Sequence, residues 1–133
     1  MNRKKRTTLW IILTCVVVLV AAGVIAVKSY IDGFVGSVAS LTVSNVDLSQ
    51  VPDGTWKGSY SLLPVSVEVG VTVKDHKITA IDLVKHVNGK GQAAESVLEK
   101  VVEAQSLEVD TVAGATASSK VILKAIEDAL KAR

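Results

Sequence analysis

The chain has 133 residues, which is enough for one small domain but not for two. Hydrophobic residues make up 49% of the chain and the formal net charge is only +2, so the composition excludes an intrinsically disordered protein. A single cysteine excludes an intramolecular disulfide and a cysteine metal cluster.

The positive charge is concentrated at the N-terminus, where four basic residues occupy positions 3–6. The other 11 basic residues and all 13 acidic residues lie from Lys28 onward, so that part of the chain has a net charge of −2. A nucleic-acid-binding domain carries a basic face. The charge distribution therefore argues against nucleic acid as a partner.

Residues Leu9–Val27 form an uncharged run of 19 residues, which as a helix would be about 28 Å long and would match the hydrocarbon core of a bilayer. The basic residues that precede it favour a cytoplasmic N-terminus. We therefore expect a cytoplasmic basic tail (1–8), a transmembrane helix (9–27) and an extracytoplasmic remainder, in a single-pass protein of the cell membrane.

Two alternatives to an uncleaved anchor follow from the same segment. A cleaved signal peptide has an apolar core of about 7–15 residues, which is shorter than this run, although Val24–Ala26 would suit a cleavage site. Lipidation of Cys15 would end the apolar run at that residue, yet the run continues for twelve more residues. Cleavage remains an open alternative to the anchor.

Residues 28–52 lack a sustained hydrophobic period and are interpreted as a linker that is partly helical near the membrane. The folded domain is predicted at 53–133. Its first strand lies around Thr55–Tyr60, and valines alternate with other residues along Val65–Val73, which is typical of a half-buried strand. Residues 74–77 predict a hairpin connection to a third strand, Ile78–Val87, and a fourth strand is possible.

Two amphipathic helices are predicted after the strands. Apolar residues recur every three or four positions across 93–104 and again from about Ser118 to Ala132, and each helix needs its apolar face covered by the sheet. Residues Leu107–Val112 are predicted as a short strand or an extended link. Strands followed by helices indicate an α+β domain with an antiparallel sheet of three or four strands.

Small and hydroxyl-bearing residues crowd the entry to the last helix, at Asp110–Ser119. A helix start offers unpaired N–H groups and a positive partial charge, which suit a phosphate group, and Gly114 with Ala115 would let a ligand approach the backbone. The alternative is that Thr116 or Ser118 simply caps the helix. The chemistry of the residues leaves both interpretations open.

The chain resembles the FMN-binding domain family across about residues 53–133. The residues that carry this resemblance are Asp53-Gly54-Thr55-Trp56 in the opening strand, Val71–Thr79 in the central hairpin, Gly89–Glu95 and Gln105-Ser106 in the helical region, and Asp110–Thr116 with the following serines. The family includes flavin-carrying subunits of the sodium-pumping quinone reductase and of the Rnf complex. It also includes short membrane-anchored bacterial flavoproteins.

The resemblance implies that FMN is the cofactor and that Thr116 carries it through a phosphoester. A magnesium-dependent transferase, which takes the FMN from FAD, would attach it. The cofactor-binding residues implied around Thr116 are Asp110, Ala113, Gly114, Ala115, Ser118 and Ser119, and a second group comprises His86, Gly89, Lys90, Gly91 and Gln105. Two positions depart from the family pattern, because Ala113 replaces the usual Ser or Thr and His76 replaces a Gly.

The resemblance implies an electron carrier between a membrane donor and an extracytoplasmic acceptor, rather than a stand-alone enzyme. No catalytic residue and no metal site are predicted. Two other functions are considered: a flavin-dependent reductase of a small acceptor, and an anchored binding module without redox chemistry. The sequence does not identify the redox partners or the oligomeric state.

Overall fold

The computed structural model describes residues 3–87 and 92–131. Contacts divide the chain into two compact units, residues 1–40 and residues 41–133. The first unit is one helix and the second holds a sheet with two α-helices. This arrangement confirms the predicted α+β class.

Helix α1 (Arg3–Ser40) is the whole of the first unit that the structure describes. None of its residues is buried, and its apolar window is long and hydrophobic enough to cross a membrane. At about 1.5 Å per residue it is roughly 57 Å long, well beyond the ~30 Å of a bilayer core. The predicted partial helicity after Val27 is therefore found as a continuation of α1 to Ser40.

Three antiparallel strands form the sheet of the second unit: β1 (Gly54–Leu62), β2 (Val65–Lys74) and β3 (Lys77–Val87), in the order β1-β2-β3. A two-residue turn joins β2 to β3, and both Asp75 and His76 have positive φ values (51° and 59°), which is typical of a type I′ hairpin. The predicted hairpin is confirmed. No fourth strand is found in the described ranges.

The alternation along β2 determines which face of the sheet is buried. Val65, Val67, Val69, Val71 and Val73 are each 5% exposed or less, whereas the residues between them are more polar. Helix α3 (Thr116–Lys131) packs against β1 and β2 and buries its own apolar stripe. The core thus lies between the valine face of β2 and α3.

Gly58 allows α3 to approach β1 closely. A Cβ atom at this position would overlap the carbonyl oxygen of Ala125 and the backbone nitrogen of Ala129. Ser59, the next residue of β1, donates its N–H to the carboxylate of Asp128 at 3.0 Å. The backbone of β1 is therefore in direct contact with α3.

The chain between β3 and α3 contains a 3-10 helix (Gln92–Ser96) followed by α2 (Val97–Ala104). The predicted helix across 93–104 is thus divided into two parts. Helix α2 packs beside β3. Residues 107–112 form no strand, which leaves the extended link as the correct one of the two predicted alternatives, and α3 begins two residues before the predicted Ser118.

Residues 41–51, which lie between α1 and β1 in sequence, pack against other parts of the second unit. Val51 is fully buried, and the side-chain oxygen of Asn45 accepts the N–H of Leu107 at 3.1 Å. The N–H of Ser44 donates to the carboxylate of Glu127 at 3.2 Å. Part of the predicted 28–52 linker therefore contacts the fold, and the predicted domain boundary at residue 53 stays a prediction.

Glu127 is a buried carboxylate in α3. Its burial raises the pKa, but the hydrogen bonds from Lys124, Lys131 and the Ser44 N–H outweigh burial and bring the net pKa below the ordinary value. A lowered folded-state pKa stabilises the fold above the unfolded-state pKa, and this contribution is lost as the pH falls through the folded-state value. Glu127 therefore binds the Ser44 N–H most firmly in its ionised form.

Candidate functional site

The loop before α3 ends in a tight turn. The N–H of Ala115 donates to the carbonyl oxygen of Val112 at 2.9 Å, and Gly114 has a φ of 77° at the third position of this turn. A positive φ at that position is typical of a type II turn and favours glycine. A Cβ atom at Gly114 would meet nothing within 4 Å. Gly114 is therefore required for backbone conformation, and the space beside it is open.

Ser119 fixes this turn to the first turn of α3. Its hydroxyl oxygen accepts the N–H of Val112 at 3.1 Å and donates to the carbonyl oxygen of Ala115 at 2.8 Å. Its side chain is fully buried. The hydroxyl is thus used within the protein. Ser118 is also buried, so neither serine presents its side chain at the surface as Thr116 does.

Thr116 is the first residue of α3, and it is exposed. Its hydroxyl makes no hydrogen bond within the described part of the chain. The N–H groups of Thr116, Ala117 and Ser118 precede the first intrahelical hydrogen bond, which joins Ser119 to Ala115. No described side chain caps them. The alternative in which Thr116 or Ser118 caps the helix is therefore not what the structure shows.

Asp110 lies in the same loop, six residues before Thr116, and it is exposed. The ammonium of Lys100, on α2, donates to the main-chain carbonyl oxygen of Asp110 at 3.4 Å, which leaves the Asp110 carboxylate facing solvent. Ala113 is exposed at the second position of the turn, and Ala115 is buried directly before α3. No pattern in the sequence predicts the contact between Lys100 and Asp110.

His86 lies on β3, on the face that the helices cover, because it pairs with the buried Val67. Its side chain is 3% exposed, and its Nδ1 lies 3.0 Å from a carboxylate oxygen of Glu95 in the 3-10 helix. This contact joins β3 to the 3-10 helix. Sequence reasoning missed Glu95 as the partner, because no spacing rule links the end of a strand to a later helical turn.

Three residues of the second predicted group, Gly89, Lys90 and Gly91, lie outside the described residues. Gln105 ends α2 with a left-handed backbone (φ 50°). Its side-chain oxygen accepts the N–H of Ile78 at 2.8 Å, and its amide nitrogen donates to the carbonyl oxygens of Ile78 and Val102 at 2.8 and 2.7 Å. The Gln105 amide is thus occupied by contacts that hold α2 to the start of β3.

The geometry at the start of α3 fits a phosphate-bearing cofactor. Uncapped N–H groups at a helix start attract an anionic phosphate, and the Thr116 hydroxyl beside them is free to form an ester. The open space at Gly114 leaves room for a bulky group. These observations concern the residues around Thr116. They do not extend to Gln105, whose side-chain amide is used within the protein, or to His86, whose Nδ1 contacts Glu95.

A comparison with known protein families matches residues 63–131 to the FMN-binding domain. The match runs from the residue after β1 through the last residue of α3 and covers just over half of the chain. It includes the turn at Gly114, the buried hydroxyl of Ser119 that binds this turn, and the exposed Thr116. Family membership supports FMN as the cofactor, and α1 is consistent with single-pass anchoring in a membrane. The chain belongs to the FMN-binding domain family.

Proposed function

We propose that this protein is a membrane-anchored electron carrier whose FMN is bound covalently through a phosphoester to Thr116. The observation that carries the proposal is the exposed Thr116 hydroxyl at a helix start whose N–H groups no described side chain caps. Family membership supports the flavin, and the length and hydropathy of α1 support the anchor. The covalent bond and the carrier role go beyond those findings.

The attachment is a group transfer without oxidation or reduction. The Thr116 oxygen forms a bond to the phosphorus of the FMN moiety in FAD, the phosphoanhydride bond to AMP breaks, and the hydroxyl proton is released. A flavin transferase would supply the metal and the base for this step. The protein itself supplies an accessible hydroxyl on a rigid helix start, which Ser119 holds in place.

The bound phosphodiester would keep one negative charge beside the N–H groups of Thr116, Ala117 and Ser118. The positive end of the helix dipole stabilises an anion there. FMN supplies the redox chemistry, because its isoalloxazine ring accepts and donates electrons, while the protein orients it and tunes its surroundings. A covalent bond also prevents loss of the cofactor outside the cell.

The orientation of the protein follows from its basic N-terminus. Arg3, Lys4, Lys5 and Arg6 precede the apolar segment, and cytoplasmic flanks carry an excess of such residues. The second unit would then lie on the extracytoplasmic side. Confinement by the anchor raises the effective concentration of the flavin near membrane donors, which suits a carrier.

The test is Thr116→Val, which removes the hydroxyl and keeps the size of the side chain. We expect the full chain, coexpressed with a flavin transferase, to gain the mass of one FMN less water, and we expect the variant to gain none. Intact mass after denaturation, followed by peptide mapping, measures both. The matched control is Thr111→Val, which removes a half-buried hydroxyl of the same loop and leaves the added mass unchanged.

Flavin that stays attached to the Thr116→Val chain through denaturation would contradict the assignment. Flavin that leaves the wild-type protein on denaturation would show noncovalent binding and would also contradict it. The carrier role has its own measurement, which is reversible reduction of the bound flavin without turnover of small acceptors such as quinones. Steady turnover of such an acceptor by the isolated protein would favour a reductase instead.

A further inference from the structure

Two adjoining grooves run along α2 toward the loop that precedes Thr116. The first, of 320 Å³, lies between β3 and α2 and is lined by Ile81, Leu98, Glu99, Val102 and Glu103. The second, of 470 Å³, lies between the end of α2 and the following loop and is lined by Lys100, Glu103, Ala104, Glu108, Val109 and Asp110. Glu103 borders both grooves. We refer to them together as the α2 groove.

The rim of the α2 groove is acidic. Glu99, Glu103, Glu108 and Asp110 are exposed, and none of their carboxylates has an ion-pair partner among residues 3–87 and 92–131. Lys100 is the one cation among the lining residues, and its ammonium donates to a main-chain carbonyl oxygen rather than to a carboxylate. Four carboxylates against one ammonium leave a net negative surface.

The floor of the first groove is apolar. Ile81, Leu98 and Val102 are half-buried there, so each keeps part of its hydrocarbon surface accessible. Protein interfaces combine an apolar centre with a polar rim, and complementary charges on the two partners guide association. The α2 groove has this composition along one exposed face of the domain.

We propose that the α2 groove docks a protein partner that presents an apolar side chain surrounded by lysine and arginine residues. The proposal rests on the proposed function, because the groove ends at Asp110, six residues before the expected flavin attachment at Thr116. A partner seated in the groove would lie beside the loop that carries the cofactor. The partner would thus be the donor or the acceptor of the electrons.

The same carboxylates disfavour other occupants. Anionic lipid surfaces and the phosphates of nucleic acids are both repelled by a surface of negative charge. In the part of the chain that the structure describes, no three His, Cys, Asp or Glu residues converge closely enough to hold a metal ion. Carboxylates that are spread along a groove fit the distributed charge of a basic protein.

The experiment measures binding of cytochrome c, used as a basic electron-transfer probe, to the full chain in nanodiscs of neutral phosphatidylcholine. The chain carries Thr116→Val, so no covalent flavin is needed for the measurement. We expect saturable binding that weakens as the salt concentration rises. Absence of binding at low salt would overturn the proposal.

The test variant is Glu99→Gln with Glu103→Gln, which removes two rim charges and keeps the size of both side chains. We expect it to weaken binding at least about fivefold, because charge complementarity guides the encounter. The matched control is Glu68→Gln with Asp32→Asn, two carboxylates outside the grooves, which should change the affinity less than about twofold. Equal weakening in both would show diffuse attraction by net charge and would overturn the proposal.

Leu98→Gln tests the apolar floor, and its thermal unfolding shows whether the fold is kept. We expect this variant to bind the probe more weakly than the parent chain. This difference should persist at moderate salt, where the charges are screened. Failure of the docking surface and failure of the proposed function are separable. If the Thr116→Val chain binds the probe but the wild-type chain gains no FMN mass on coexpression with a transferase, only the flavin assignment is refuted. If the wild-type chain gains FMN mass but the Thr116→Val chain does not bind the probe, only the docking surface is refuted.

Discussion

At the scale of single residues, Ser119 and Thr116 bear the same functional group, three positions apart, and the fold uses the two hydroxyls differently. Ser119 is fully buried and both its accepting and its donating capacity are used by the preceding turn. Thr116 is exposed at the helix start. Residues three apart lie near the same face of a helix, so this spacing alone does not separate them. The difference arises because Thr116 is the first residue of α3, where the helix still borders solvent. The buried serine therefore positions the exposed threonine.

Ser119→Ala should destabilise the domain by about 1–3 kcal/mol, because the N–H of Val112 loses its acceptor in a half-buried position. We also expect slower gain of FMN mass on coexpression with a transferase, since the turn before Thr116 is no longer fixed. Urea unfolding and a time course of intact mass measure the two effects. Ser96→Ala is the control, because Ser96 is exposed and its loss should cost no more than about 0.5 kcal/mol. If Ser119→Ala changes neither the stability nor the rate at which FMN mass is gained, the Ser119 hydroxyl has no positioning role.

At the scale of elements, the strands and helices could be predicted from periodicity, whereas their contacts could not. The alternating valines of β2 and the apolar spacing of α3 indicate which face of each element is buried. Both patterns can be recognised within a short stretch of sequence. The role of Gly58 could not be predicted from periodicity. Its sequence context is an ordinary strand, and only the close approach of α3 requires a glycine there. Gln105 is similar, because its bonds to Ile78 join positions far apart in sequence. The motif singles out Thr116 as a candidate residue, whereas the exposure of Thr116 and the burial of Ser119 depend on tertiary packing.

Gly58→Ala should destabilise the domain by about 3 kcal/mol or more, because the new methyl group overlaps the α3 backbone and a helix cannot yield as a flexible side chain can. Gly70→Ala is the matched control on the neighbouring strand. Its Cβ would lie 3.8 Å from the Thr55 side chain, an ordinary contact, so we expect no loss and a gain of up to about 1 kcal/mol. Chemical unfolding of both variants measures the difference. Equal stabilities would mean that α3 does not rest on β1 at Gly58.

At the scale of the whole molecule, residues 41–51 follow α1 in sequence and contact the elements that surround the proposed flavin site. Their contacts reach Leu107 at the start of the loop before α3, and Lys120 and Glu127 within α3. The segment therefore contacts the second unit, although the family match begins only at residue 63.

A fragment of residues 53–133 should accordingly be less stable than residues 41–133. Burial of Val51 alone contributes about 1.5–3 kcal/mol, and the Asn45 and Ser44 hydrogen bonds add to it. The difference should shrink as the pH falls below the ordinary glutamate pKa and through the lowered folded-state pKa of Glu127, because protonation of Glu127 weakens its bond to the Ser44 N–H, which only the longer fragment contains. Urea unfolding of both fragments at neutral and acidic pH measures this dependence, and Glu127→Gln in the longer fragment should abolish it. Equal stability of the two fragments at neutral pH would show that residues 41–52 act as a linker and do not stabilise the fold.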